Sequence, residues 1–292
     1  MLKPQNSKTN KNWRIIDIIN WADKYFKDKS FENPRSEIEI LLLHLFDCKK
    51  IDLYLDFEKV INPKDLATLR RWIKRRIYRE PIQHIIGNSE FYGRKFIVNQ
   101  HVLIPRPETE TIIDISIDAL SKINNPVIID IGTGSGCIGI TLALEIPGSN
   151  VLAIDISEAA LSVAKKNAEL YKLNNIDFIK MDFLSQDINH NVDLLVSNPP
   201  YIPKKEFSGL MKDVKEYEPT IALTDNSDGL VFYKKLSKII SDIVKKNGVT
   251  ILEVGRGNHY SKVKEIFYKE GYKGIKTFRD LNKDIRVLMI NN

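Results

Sequence analysis

The sequence predicts an α/β protein: a mostly parallel sheet covered by helices on both faces and closed by a C-terminal hairpin, preceded by a small helical bundle and a linking β-hairpin. Three observations predict it. Beyond Pro126, short apolar runs alternate with helical segments to the end of the 292-residue chain, the pattern that builds a parallel sheet. The first 80 residues instead repeat their apolar side chains at helical steps. Charge and aromatic content also change along the chain. Met1–Ile86 carries 18 Lys and Arg against 12 Asp and Glu together with all three tryptophans, whereas Gly87–Asn292 carries 26 of each sign. Such a shift marks a separate N-terminal unit with its own partner surface. The expected organisation is therefore residues 1–86 as a helical docking domain, 87–105 as a β-hairpin linker and 106–292 as the α/β domain.

In the first unit, Ile15, Ile16, Ile18, Ile19 and Ala22 mark one helix, and Pro34 opens a second that ends at Phe46. A third follows Asn62 as N-cap and Pro63 at the first helical position. There Leu66, Leu69, Ile73 and Ile77 share one face while Arg70, Arg71, Lys74, Arg75, Arg76 and Arg79 fill the others. That cationic surface is either a solvated face or a dock for an acidic macromolecule. Residues 80–104 read as short β runs around Gly87 and Gly93, with Phe91, Phe96, Val98 and Val102 at strand spacing. Pro105 and Pro107 then bracket Arg106, and a helix is expected over residues 108–123 with Glu108 and Glu110 in its first turn, where the helix dipole favours carboxylates.

In the α/β part, strands are expected over residues 127–131, 151–154, 176–179, 192–196 and 249–254. Helices are expected over 137–145, 157–171 with Ser157 as cap, 230–246 and 260–269, and residues 274–278 and 285–290 form the closing hairpin. Composition excludes other classes. Hydrophobic content of 43% and charged content of 28% are globular values. No apolar run approaches the ~18–20 residues of a membrane span, and residues 1–12 are Lys-rich and polar with no signal-peptide core. The chain is expected neither to span a membrane nor to be secreted. Cys48 and Cys137 form no disulfide framework, which points to a reducing cytoplasm. His44, His84, His101, His190 and His259 are scattered without metal-ligand spacing, so no metal is expected.

Two motifs carry chemistry. Four of the 14 glycines fall within Asp130-Ile-Gly-Thr-Gly-Ser-Gly-Cys-Ile-Gly139, between a strand and a helix. Gly132, Thr133, Gly134, Ser135 and Gly136 can bring backbone N–H groups against a ligand, because glycine has no Cβ to hold it off. Asp155 ends the next strand, where a carboxylate can accept both hydroxyls of a ribose. A dinucleotide-binding dehydrogenase would use the same turn. The second motif, Ser197-Asn-Pro-Pro-Tyr201, follows an apolar strand and stands at the carboxyl end of the sheet, where open α/β folds bind ligands. Pro199 and Pro200 have no N–H, so the loop offers acceptors without competing donors; Asn198 adds an amide and Tyr201 an aromatic wall.

Asn-Pro-Pro-Tyr after the fourth strand of such a glycine-loop domain resembles an S-adenosylmethionine-dependent methyltransferase acting on a nitrogen conjugated to a π-system. Glu80-Pro-Ile-Gln-His-Ile-Ile-Gly87, Glu90-Phe-Tyr-Gly93, Val102-Leu-Ile-Pro-Arg-Pro-Glu-Thr-Glu110, Tyr217-Glu-Pro-Thr-Ile-Ala-Leu223 and Ser227-Asp-Gly-Leu230 narrow the likeness. With them the chain resembles the HemK/PrmC family, the release factor glutamine methyltransferases. The resemblance implies a Rossmann-like fold and S-adenosylmethionine held by Gly132 to Gly136 and Asp155, with Phe183 beside Asp182 lying against its adenine. It implies that Asn198, Pro199, Pro200 and Tyr201 hold the substrate glutamine, with Asn198, Pro199 and Tyr201 catalytic and Asn198 also touching the cofactor. The implied partners are class I peptide chain release factors, modified at the glutamine of their Gly-Gly-Gln motif. The even charge balance of the catalytic part argues against a direct grip on nucleic acid, and a monomer is expected. An adenine-N6 DNA methyltransferase and a non-catalytic ribosome or nucleic-acid binding module are the competing readings. The segments 253–258 and 280–286 depart from the family pattern and are expected to lie away from the transfer loop.

Overall fold

The computed structural model describes residues 12–292; the polar start at residues 1–11 lies outside the described residues. The chain divides into two compact units, Met1–Ile86 and Gly87–Asn292. In the first, α1 (Ile15–Asp28), α2 (Pro34–Phe46), α3 (Lys50–Leu55), α4 (Pro63–Ile77) and α5 (Ile82–Ile86) surround a core that includes Ile19, Phe26, Leu41, Leu42, Leu69 and Ile85. Each such side chain contributes about 1.5–3 kcal/mol relative to exposure. The Asn62 side chain accepts from the Asp65 N–H, which caps α4, and Pro63 occupies its first turn.

The arginines of α4 are divided in their use. Arg76 is buried and pairs with Glu37 through Nε (2.6 Å) and Nη2 (3.0 Å), and Arg75 pairs with Glu80 through Nε (2.8 Å) and Nη2 (2.5 Å). Arg79 lies 4.0 Å over the Phe31 ring and donates to the Lys29 carbonyl. Arg70, Arg71, Lys74 and the paired Arg75 are exposed whereas Arg76 is buried, so the cationic surface is narrower than the sequence suggested. The β reading of residues 80–104 also needs correction at its start. Residues Ile82–Ile86 form a helical turn, with His84 and Ile85 N–H groups donating to the Pro81 carbonyl and Ile82 and Ile85 buried in the helical core. One turn is too short for periodicity to declare it.

The second unit opens with a hairpin, β1 (Asn88–Phe91) and β2 (Arg94–Ile97), joined by Tyr92 and Gly93. Their φ values of +50° and +68° make the two-residue turn whose twist matches the strands. Val98 and Val102 lie beyond the strand and pack instead on Ala160 and Val163. A 3-10 turn at Pro107–Thr109 leads into α6 (Glu110–Leu120).

The remaining elements are β3 (Val127–Ile131), α7 (Cys137–Glu145), β4 (Asn150–Asp155), α8 (Glu158–Leu170), β5 (Ile176–Lys180) and β6 (Val192–Ser197). Three short helices follow, α9 (Lys204–Phe207), α10 (Lys212–Lys215) and α11 (Thr220–Leu223), then α12 (Val231–Ile243), β7 (Val244–Glu253), α13 (His259–Lys269), β8 (Ile275–Arg279) and β9 (Ile285–Asn291). The sheet order is β5-β4-β3-β6-β7-β9-β8, parallel from β5 to β7 and antiparallel at β9 and β8. Ile129 and Ile131 face a core with α12 and α13, while Ile128 faces the opposite core with α6 and α7. This alternation covers both faces of the sheet. Helix α12 stops three residues before the amphipathic pattern does, because Val244 pairs with Val192 in the sheet and Lys245 Nζ reaches Asp193 Oδ2 at 2.7 Å. Chain order reverses between β3 and β6, and their carboxyl ends form the crevice where such sheets bind ligands.

Candidate active site

The loop after β3 is held by its own backbone. Gly132 and Thr133 N–H groups donate to the Ile154 carbonyl at 2.9 and 3.0 Å, and Gly136 N–H to the Thr133 carbonyl at 2.8 Å. Gly132, Gly134 and Gly136 take φ of +74°, +56° and +81°, a region that costs other residues strain. The three differ in what surrounds them. A Cβ on Gly136 would lie 2.7 Å from Ile140 Cδ1, whereas one on Gly132 would meet nothing within 4 Å. Gly136 is thus demanded by packing and Gly132 by the open space in front of it.

That space is a cavity of about 270 Å³ between the two carboxyl ends. Gly132, Thr133, Gly134, Ser135, Asp155, Asp182, Phe183, Asn198, Pro199 and Pro200 all line it, so it brings together most of the residues expected from the sequence. Asp155 closes one side. Its Oδ2 accepts from Gly134 N–H (2.9 Å) and its Oδ1 from Ser157 N–H (2.8 Å), and the Ile156 N–H also bonds the carboxylate, which still keeps acceptor capacity for a hydroxyl. Phe183 is 4% exposed and stacks on Phe232, another lining residue, at 5.9 Å. The Asp182 carboxylate accepts from Leu184 N–H and Ser185 Oγ, which folds the turn that carries Phe183. Behind the loop, Asp130 is fully buried; its Oδ2 accepts from Thr133 Oγ1 (2.6 Å) and Gly139 N–H (3.0 Å), and burial pushes its pKa up to about 6. Its Oδ1 has no hydrogen-bond partner among the described residues.

The loop after β6 sits opposite. Ser197 Oγ ties it to β3 through the Ile131 carbonyl at 2.6 Å. Asn198 Nδ2 donates to Thr109 Oγ1 at 3.3 Å, and neither Asn198 Oδ1 nor the Pro199 carbonyl accepts a hydrogen bond among the described residues. Tyr201 is turned away from the cavity. Its hydroxyl donates to Glu253 Oε1 (3.3 Å) and accepts from Arg286 Nη2 (3.0 Å). Burial first, and then the nearby Glu253 charge, push the phenol up to about 12.

Sequence reasoning missed Thr109, Glu253 and Arg286. Thr109 Oγ1 donates to Glu253 Oε2 at 2.5 Å, and Glu253 Oε1 accepts from Arg286 Nη2 at 2.9 Å. Glu253 shows no exposed surface, and burial raises its pKa while Arg286 and the Thr109 hydroxyl pull it back. The segments expected away from the transfer loop therefore send Glu253 and Arg286 beneath it; sequence separations of 52 and 85 residues from Tyr201 gave no sign of contact. Arg106, Glu108 and Glu110 also find partners. Arg106 Nη2 meets Glu218 Oε1 at 2.5 Å, Glu108 meets Arg256 at 3.2 Å, and Glu110 Oε1 accepts from Tyr92 N–H at 2.8 Å. Among the described residues no His, Cys, Asp and Glu cluster is arranged to hold a metal ion, and no helix is long and apolar enough to cross a membrane.

Comparison with known proteins follows the division of the chain. Residues 17–87 match the PrmC N-terminal domain and residues 113–213 the methyltransferase small domain. Proteins named release factor glutamine methyltransferase from Chlorobaculum tepidum and Geobacter sulfurreducens are each 35% identical to it. The matches cover 94% of this chain and 95% and 96% of theirs. The hMettl16 catalytic domain, solved with the MAT2A 3'UTR hairpin 6, is alike in fold, with a TM-score of 0.56 at 18% identity over 78% of this chain and 82% of that one.

Proposed function

Since the chain belongs to the family of release factor glutamine methyltransferases, we propose that it methylates the side-chain amide of the glutamine in the Gly-Gly-Gln motif of class I peptide chain release factors. The cofactor is S-adenosylmethionine, and the cavity suits it. Two glycines whose Cβ positions are open give a close backbone approach, Asp155 keeps acceptor capacity for a ribose hydroxyl, and the stacked Phe183 and Phe232 offer an apolar wall for a base. When bound, that group supplies an electrophilic methyl carbon on a sulfonium.

The rest falls to the chain's own residues. A carboxamide nitrogen is a poor nucleophile, because its lone pair is delocalised into the carbonyl. The observation that carries the reading is the rim of Asn198, Pro199 and Pro200 on the cavity, where the prolines carry no N–H and neither Asn198 Oδ1 nor the Pro199 carbonyl accepts a hydrogen bond among the described residues. Asn198 Oδ1 and the Pro199 carbonyl accept the two N–H bonds of the glutamine, which enriches its nitrogen and aims the lone pair into the cavity. Tyr201 is a neutral phenol committed to Glu253, so it supplies no base; it anchors the far end of the loop. The proton passes to solvent water after transfer, once the nitrogen is cationic and acidic, so no side-chain base is needed.

The helical unit docks the release factor in this reading, and the enzyme works as a monomer in the cytoplasm without binding nucleic acid itself. Incubation of the chain with labelled S-adenosylmethionine and either a class I release factor or duplex DNA tests it. Label is expected on the glutamine of the Gly-Gly-Gln motif; label on DNA and none on protein rejects it.

A further inference from the structure

The amide of Asn198 can face the cavity in two ways, and only one helps. With Oδ1 outward it accepts from the substrate nitrogen; with Nδ2 outward it sets donor against donor. Something must choose between them, and the choice does not lie in the loop. Thr109, 2% exposed, lines the same cavity as Asn198, with its hydroxyl 2.5 Å from Glu253 Oε2 and 3.3 Å from Asn198 Nδ2. A hydroxyl has one proton. Glu253 is an acceptor on both sides: its Oε1 takes hydrogens from Arg286 Nη2 at 2.9 Å and from the Tyr201 hydroxyl, and its Oε2 takes the Thr109 hydrogen.

Resting on the substrate assignment above, we propose that Thr109 is a positioning residue: its proton is committed to Glu253, so its remaining lone pairs draw the Asn198 amino group inward and turn the amide oxygen toward the substrate. The polarity of the relay begins at Arg286 and runs through Glu253 and Thr109 to Asn198. Each step is fixed by whether the previous group gives or takes a hydrogen.

This logic predicts an outcome that packing alone does not. In Glu253→Gln, Arg286 and Tyr201 still require an acceptor at the first oxygen position, so the new amide places its NH2 toward Thr109. The threonine proton is then released toward Asn198, which turns its oxygen inward and presents the wrong end. Thr109→Val keeps the shape and removes the relay, whereas Thr109→Ser keeps the hydroxyl.

The test uses the full chain with labelled S-adenosylmethionine and a class I release factor, with cofactor Kd measured by calorimetry as the check on folding. Thr109→Val is expected to lower kcat by about 10- to 100-fold with cofactor Kd and release factor KM unchanged, and Thr109→Ser to restore most of it. Glu253→Gln is expected to lower kcat further in the wild-type background and to add nothing in the Thr109→Val background, since its effect passes through the hydroxyl. Wild-type kcat in Thr109→Val, or losses that simply add, overturns the relay. Should the wild-type chain label no release factor, the substrate assignment fails by itself. The relay is then decided by the Asn198 side-chain NH2 resonances: exchange protection present in wild type and lost in Thr109→Val upholds it, and equal protection in both overturns it.

Discussion

At the scale of single residues, Asn198 and two glycines separate binding from chemistry. In the proposed reading, Asn198→Ala removes an orienting acceptor from the cavity wall. Turnover should fall by about two to four orders of magnitude while cofactor Kd stays close to wild type, measured by single-turnover labelling and calorimetry. Equal losses in both would assign Asn198 to cofactor binding alone. Gly132→Ala and Gly136→Ala make a second contrast. Both force alanine to positive φ, but only the Gly136 variant drives a Cβ to 2.7 Å from Ile140 Cδ1. Gly136→Ala should therefore cost about 2–4 kcal/mol of stability in denaturant melts. Gly132→Ala should cost about 1–2 kcal/mol and mainly weaken cofactor binding. The glycine loop and the transfer loop were legible in the sequence because each is a contiguous motif behind a strand. Tyr201 was legible as a residue and not as a role: its partners Glu253 and Arg286 come from other strands, and nothing local reports which way the ring turns.

At the scale of elements, periodicity found what is long and missed what is short. The sequence marked α4 and α8, caps included, and both capping side chains accept as expected. It gave nothing for α9, α10 and α11, each four residues long, because a single turn has no repeat to detect. These short helices belong to a segment that is pinned by one buried ion pair. Glu218, whose side chain is 1% exposed, accepts from Arg106 and from the Ile104 N–H at 3.2 Å, which joins the proline-rich entry of α6 to α11. Burial raises the Glu218 pKa even with Arg106 present. Arg106→Ala leaves that carboxylate buried and uncompensated and should cost about 1–3 kcal/mol, less than a fully buried pair because Arg106 is 33% exposed. The loss has a sign in pH. A carboxyl with a raised folded pKa binds its proton more readily in the native state, so native stability is recovered as pH falls through that pKa and is lost above it. The difference in Tm between wild type and Arg106→Ala should thus be larger at pH 8 than at pH 5. A difference independent of pH would mean that lost packing, rather than lost charge, explains the variant.

At the scale of the whole molecule, the charge shift along the sequence survives in reduced form. Arg76 is buried on Glu37, and Arg75, though exposed, pairs with Glu80; Arg70, Arg71 and Lys74 are exposed on the same helix. Reversal of these three to Glu should raise the KM for a release factor in a salt-dependent way and leave the kcat at saturation unchanged. An unaltered KM at low salt would make this a solvated face. Composition could show where the positive charge lay but not how much was already neutralised, because ion pairs such as Arg76 with Glu37 join residues 39 positions apart. The order of the sheet has one more consequence. Strand β9 lies between β7 and β8 although it follows both in the chain, and it brings the guanidinium that pairs with Glu253. A nascent polypeptide can assemble the glycine loop and most of the parallel sheet while its tail is still in the ribosomal tunnel. The Arg286–Glu253 pair beneath the Asn198 loop can form only once β9 has emerged.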